Sequence, residues 1–181
     1  MKLKNEKQIN IVHNIYSIDK SIGGPIFSMK ILAEAQAKLG HNVTIISSQT
    51  KNHLTPVEFN EKIKLILIPC FTKYKYMTNW TTNILNLTEM PDVIHTYGIW
   101  TYHNYVACKF SLKYDIPHII APCGMLYKKG METSYFTKKI AWEIFQKRIL
   151  QNVSCFHAKS DEELNNIYTI FPNLDIEIIP N

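Results

Sequence analysis

Ile9-Asn10-Ile11-Val12-His13, then Ser21-Ile22-Gly23-Gly24-Pro25, then a helical run that ends at Leu39-Gly40 make a strand, a turn and a helix in direct succession. The predicted helix spans about Pro25 to Leu39. Its apolar line Phe27, Ile31, Ala35, Leu39 is spaced by four, and its polar line Lys30, Glu34, Lys38 faces away. Glu34 to Lys38 is the favourable i,i+4 ion-pair order, and Gly40 stands where a helix C-cap glycine belongs.

Outward from this unit the pattern repeats. Val43–Ile46, Ile63–Ile68, Pro91–His95, Ile116–Ile120, Val153–His157 and Ile176–Ile179 read as strands. Helices are predicted at about Asn79–Thr88, Tyr102–Tyr114, Thr133–Leu150 and Ser160–Ile170, with Cys70–Thr78 as an aromatic, basic loop. Ser160 followed by Glu163 resembles a capping box. Alternation of this kind implies an α/β fold: a Rossmann-like, mostly parallel sheet flanked by helices. In such folds ligands bind in the crevice beyond the carboxyl ends of the strands.

Length and composition set the frame. The 181 residues fit one domain, 1–181, and 46% hydrophobic residues suffice for a core. No apolar run approaches the length of a membrane span, and the polar start, Met1 to Gln8, does not resemble a signal peptide. A cytoplasmic setting is expected. The net charge of +5 argues only weakly for anionic partners, and no nucleic-acid partner is expected. Cys70, Cys108, Cys123 and Cys155 form no C-x-x-C pattern, and the histidines are dispersed, so no metal site is expected.

Four places could carry chemistry. Gly23-Gly24-Pro25 lies between the first strand and helix, where the backbone can approach a diphosphate and the helix N-terminus offers amide donors; the plainer reading is a turn with proline at N1. It is neither G-x-G-x-x-G nor a G-K-[ST] phosphate loop. His95-Thr96-Tyr97-Gly98-Ile99-Trp100 follows the fourth strand: His95 could bind a sugar or phosphate, and Tyr97 and Trp100 could stack on a sugar, or all three could simply pack. Pro122-Cys123-Gly124-Met125-Leu126 follows the fifth strand at the same sheet edge. Between Leu126 and Leu150, six cations (Lys128, Lys129, Lys138, Lys139, Lys147, Arg148) face two carboxylates, Glu132 and Glu143. The helix there has a polar stripe, Lys139-Glu143-Lys147, and a broad apolar arc of Phe136, Ile140, Ala141, Ile144, Phe145 and Ile149, with Lys138 and Arg148 inside it. A core helix with a solvated face is preferred to an amphipathic helix on anionic lipid.

Together and in order, these pieces resemble glycosyltransferase family 4. The family shows Gly-Gly-Pro; L-x-x-x-G-H-x-V; D-V-x-H-x-H-G-x-W; I-P-x-x-x-x-P-H-G-M-L; A-x-S-x-x-E; and I-P-N-G. This chain has Gly40-His41-Asn42-Val43, Asp92-Val93-Ile94-His95, Gly98-Ile99-Trp100, Ile116-Pro117, Pro122, Gly124-Met125-Leu126, Ala158, Ser160, Glu163 and Ile179-Pro180-Asn181. The resemblance covers about Ile9 to Asn181. It departs at Tyr97 and Cys123, where the family has histidines.

The resemblance implies the N-terminal, acceptor-side domain of a GT-B glycosyltransferase that moves a sugar from a nucleotide sugar to a glycan or lipid-linked acceptor, in surface polysaccharide synthesis, without cofactor or metal. Gly23 and Gly24 would touch the donor diphosphate. His95 and Cys123 would occupy the catalytic positions. Tyr97, Trp100, Gly124, Met125, Ser160 and Glu163 would line the acceptor cleft. The donor-binding domain is absent from these residues and would have to come from a further domain or from a subunit in trans, so this chain alone is expected to be inactive. Peripheral contact with the inner face of the membrane is a further expectation. The alternatives are a non-catalytic truncated or partner-dependent module, or a nucleotide-binding Rossmann-like protein.

Overall fold

The computed structural model describes residues 7–49, 55–71, 74–128, 130 and 134–180. The predicted start of the long helix at Thr133, together with Lys129, Glu132 and Asn181, lies outside the described residues. The strands are β1 (Asn10–Ile15), β2 (Asn42–Gln49), β3 (Lys64–Pro69), β4 (Val93–Tyr97), β5 (His118–Ala121), β6 (Cys155–Ala158) and β7 (Ile176–Ile178). They form one sheet in the order β3-β2-β1-β4-β5-β6-β7, and every pairing is parallel. The order reverses between β1 and β4, the switch point at which such sheets open a crevice.

The helices are α1 (Gly24–Lys38), α2 (Trp80–Leu85), α3 (Tyr102–Tyr114), α4 (Tyr135–Ala141), α5 (Lys147–Leu150) and α6 (Asp161–Ile170); a π turn, Trp142–Gln146, joins α4 to α5. α1 packs on the face that carries Ile15, Val43, Ile45 and Tyr97. α2 and α3 cover the other face at Val12, Ile46 and Ile94. A third cluster, built on Ile120, Phe156 and Ala158, seats Leu150 and Ile167.

Two predicted helix faces are corrected. On α1, Phe27, Ile31 and Leu39 are exposed, and the buried row is Ile26, Met29, Ala33 and Ala37. Both rows are apolar, so a spacing of four could not tell which one faces the sheet. Lys30 rather than Lys38 pairs with Glu34, because Lys30 is also drawn across to the Glu58 carbonyl at 2.8 Å. The helix from α4 to α5 buries Gln146, Ile149 and Leu150, while Phe136, Ile140 and Ile144 of the expected core arc point outward. Lys138 turns in over the Trp100 ring, 5.5 Å from its centroid. α2 is also shorter than predicted, since Asn79 adopts a left-handed conformation ahead of it and Asn86 ends it.

Candidate functional site

The loops that leave β1, β4, β5 and β6 meet at the carboxyl edge of the sheet. After β1, the Asp19 carboxylate accepts the Ser21 N–H at 2.8 Å and the Thr55 N–H at 3.1 Å. That caps a single 3-10 turn, Lys20–Ile22, which delivers Gly23 with φ of 74° into the start of α1. Only glycine adopts this conformation without strain. Among the described residues the first-turn amides of α1 have no side-chain cap, and a Cβ on Gly23 or Gly24 would meet nothing within 4 Å. An open backbone ahead of a helix N-terminus is the chemistry a diphosphate requires.

The β4 and β5 loops interlock through Met125. The Ile99 N–H points at the Met125 sulfur at 3.3 Å, and the Trp100 indole N–H donates to the Met125 carbonyl at 3.3 Å. Gly98 has a φ of 82°, a conformation that favours glycine, and a Cβ there would lie 3.1 Å from Met125 Cε and 3.6 Å from Tyr16 Cδ1, so the β1 loop touches the same point. Left-handed backbone gathers at this edge, at Gly98, Trp100, Cys123 and Gly124. Strain of this kind is kept where the surroundings impose it, commonly at functional sites.

Glu163 ties in the β6 loop. It is buried, and its carboxylate accepts the Gly124 N–H at 2.7 Å and the Lys159 N–H at 3.0 Å. Ser160 caps α6 by accepting the Glu163 N–H at 3.2 Å. This differs from a capping box, in which the carboxylate turns back to the cap residue; here it reaches across to the β5 loop. The Cys123 thiol donates to the Ala121 carbonyl at 3.3 Å. Burial pushes it up to about 11, Glu163 adds to the rise and Lys159 opposes it. Near neutral pH it is therefore a thiol, neither base nor nucleophile.

Behind these loops runs a chain of histidines. His157 Nε2 lies 2.8 Å from the Ile179 carbonyl, which only accepts, so this nitrogen carries the proton. In the neutral ring Nδ1 is then an acceptor, and His95 Nε2–H donates to it at 3.1 Å. His95 Nδ1 in turn accepts the Tyr97 hydroxyl at 3.2 Å. Burial holds His95 well below its ordinary value, helped by neighbouring His13, His157 and His118. Burial likewise lowers His157, and takes His13 down to about 4.

The geometry places the expected positions as follows. Tyr97 has no exposed surface and stacks on His95 at 4.4 Å, so its ring is closed to a sugar. His95 is buried with both ring nitrogens engaged. The Glu163 oxygens face backbone amides, and Ser160 accepts the cap bond while its hydroxyl stays exposed with its donor free to point outward. Trp100, Gly124 and Met125 remain half-buried at the loop surface. Tyr16, Asp19, Lys159 and His157 also belong to this edge. The signal for Lys159 was its place directly after β6, as Gly98 stands directly after β4. A hollow of about 370 Å³ lined by Asn10, Asn42, Lys64 and Glu89 lies at the opposite, amino end of the strands, away from the edge where ligands of parallel sheets bind.

Residues 23–181 match the family model described as glycosyl transferase 4-like domain. The chain belongs to this family. It is similar to an uncharacterized 42.6 kDa protein in the cps region of Klebsiella pneumoniae, at 26% identity over 180 residues, covering 82% of this chain and 47% of that protein. Its fold is similar to sucrose-phosphate synthase from Thermosynechococcus elongatus, with a TM-score of 0.69 at 16% identity, over 94% of this chain and 48% of that one. At that identity the likeness shows the fold alone: the Rossmann-like sheet of a GT-B glycosyltransferase. This glycosyl transferase 4-like domain thus spans about half the length of the relatives it matches.

Proposed function

We propose that this domain is the acceptor-side wall of a glycosyltransferase that moves a sugar from a nucleotide sugar to a glycan or lipid-linked acceptor, on the cytoplasmic side, during surface polysaccharide assembly. The carrying observation is the meeting of the β1, β4, β5 and β6 loops at Met125, Gly98 and Glu163. The uncapped start of α1 behind Gly23 lies after the same β1 loop. Its amides and helix dipole would stabilise the leaving diphosphate without a metal. Trp100, Gly124 and Met125 would form the acceptor wall. His95 and Tyr97 would act from behind, by fixing the β4 loop. The nucleotide sugar would be held by a second domain or by a separate subunit.

Cys123 stands where the family pattern has histidine, and its neutral thiol supplies neither charge nor base. That favours a second reading, a partner-dependent module without its own catalytic group. The test joins this domain to a family donor-binding domain and compares Cys123 with Cys123→His in a radiolabelled sugar-transfer assay. The expected outcome is a gain with histidine, about tenfold or more, the lower end of what a positioned acid-base group contributes. No gain removes the cysteine as the limiting feature. The 181-residue chain alone is expected to show no transfer, and efficient turnover by it would overturn this division of labour.

A further inference from the structure

The aromatic loop after β3 takes no part in the site described above. It leaves the carboxyl end of its strand and doubles back: Cys70 and Met77 form an antiparallel bridge, and the Phe71 N–H donates to the Tyr76 carbonyl at 3.3 Å. Met77 is buried and anchors the return. The Tyr102 N–H donates to the Tyr74 carbonyl at 2.9 Å, which seats the loop on the first turn of α3. Rings are thereby held outward: Phe71 is 72% exposed, Tyr74 39% and Tyr76 46%.

The rings continue toward the β4 loop. Tyr76 lies on Tyr102 at 4.5 Å, and Tyr102 leads to Tyr105 at 6.2 Å. Phe145 meets Tyr105 and Tyr74 edge-on at 6.0 and 6.3 Å. It belongs to the π turn whose Trp142 lies 5.9 Å from Trp100. Burial, with Tyr105 beside it, pushes the Tyr74 hydroxyl up to about 12. Burial, followed by Tyr76 and Tyr105, also raises Tyr102. Both hydroxyls are therefore neutral near pH 7 and can donate as well as accept.

We propose that this aromatic track binds the oligosaccharide part of an acceptor, at sugars beyond the one that reacts at the loop edge. A sugar ring has a C–H face and a rim of hydroxyls, and a tyrosine matches it with a flat apolar face and a polar tip. Tyrosine also supplies rigid contact area at low entropic cost. Contiguous exposed rings of this kind mark a binding surface. A glycan is favoured over a purely apolar partner because the track is made largely of rings tipped with hydroxyls and leads to Trp100 of the proposed acceptor wall. The inference rests on the transfer reading for the ligand's identity as acceptor, but the binding it predicts needs neither donor nor turnover.

The test is an array of bacterial surface glycans, from monosaccharides to octasaccharides, probed with the labelled 181-residue chain. The longer glycans that bind are expected to do so at least about tenfold more tightly than their monosaccharides. Phe71→Ala and Tyr74→Ala should each lose about tenfold on the long glycans and nothing on the monosaccharides. Phe71 is largely exposed, so its alanine variant should melt with the unchanged chain and keeps the test readable if Tyr74→Ala folds poorly. No glycan bound, an affinity independent of length, or alanine variants that bind as before overturns the proposal. Binding to phosphatidylglycerol vesicles that Phe71→Ala abolishes, without glycan binding, assigns the rings to a bilayer instead. A dimer that the same variant abolishes, again without glycan binding, assigns them to a second copy. No outcome involves sugar transfer, so failure here leaves the transfer reading, and its own test at Cys123, standing.

Discussion

The two faces of the central sheet solve the same problem differently. On the face covered by α2 and α3, Asn14 is enclosed: its amide donates to Thr96 Oγ1 and to the His103 carbonyl, and its oxygen accepts the Trp80 indole N–H at 3.0 Å. Thr96 continues to His118 Nε2 at 2.9 Å, and His103 Nε2 donates to the Tyr97 carbonyl at 2.9 Å. On the α1 face, His13, His95, Tyr97 and His157 form the other polar group. This one runs toward the loops, from Tyr97 beneath the β4 loop to Ile179 beyond β7. The first network binds strands to helices and reaches the β4 loop only through the bond between the Thr101 hydroxyl and His103 Nδ1. The second is a line with one end under the β4 loop and the other on the segment after β7. A polar core can therefore hold the fold on one side and link a loop edge to the segment after β7 on the other.

The largest expected effect, acid unfolding, treats both faces alike. Burial lowers His13 and His103 to about 4 and His118 to about 3, and it also lowers His95 and His157. In the unfolded chain each returns to about 6.5. Above that pH neither state is protonated and stability is complete. Below it the unfolded chain takes up protons that the folded one refuses, at a cost of about 1.4 kcal/mol per pH unit per histidine. The melting temperature should fall steeply from pH 6.5 to 4, and His118→Asn or His13→Gln should each flatten the slope by about one proton. A flat profile over that range would refute the neutral burial on both faces.

The faces separate on substitution. Asn14→Ala strands the Trp80 N–H in a sealed interior and leaves a small cavity, so a loss of about 3 kcal/mol in urea unfolding is expected. His157→Leu gives up two bonds at a partly open end, for about 1 to 2 kcal/mol. Its particular signature is local: faster hydrogen exchange at the Ile179 amide, which is bonded to the Ala158 carbonyl at 3.0 Å. If His157→Leu instead loosened α2 and α3, the separation of the two faces would fail.

The sheet was legible from sequence because buried parallel strands read as short apolar runs, and Val43–Ile46 or Ile116–Ile120 could be little else. The rotation of α1 was not, because Phe27-Ile31 and Ile26-Met29-Ala33-Ala37 are both apolar, and only the sheet selects between them. The same ambiguity set the face of α4. The histidines looked dispersed, yet His13 and His95 are cross-strand partners in register, and Ala121, small and level with Tyr97, separates His95 from His157. That proximity exists only once strand order is known. Glycines were readable as glycines, but the left-handed backbone at Gly98 and its close approach to Met125, from another loop, exist only in the fold.

The smallest expected effect tests whether the loop edge belongs to the open face or stands alone. Glu163→Gln keeps the size and one acceptor oxygen but turns an NH2 toward either Gly124 or Lys159, both of which donate. One bond is lost and a donor is set against a donor, so global stability should drop by only about 1 kcal/mol. The informative readout is local. Gly124 and its left-handed neighbour Cys123 are held in place by that carboxylate, so amide exchange at Gly124 should accelerate well beyond the change at β5. If exchange at Ile179 rises with it, the Glu163 anchor and the histidine line form one mechanical unit. If Gly124 alone responds, the β5 loop is fastened independently, and the histidine line governs only the segment after β7.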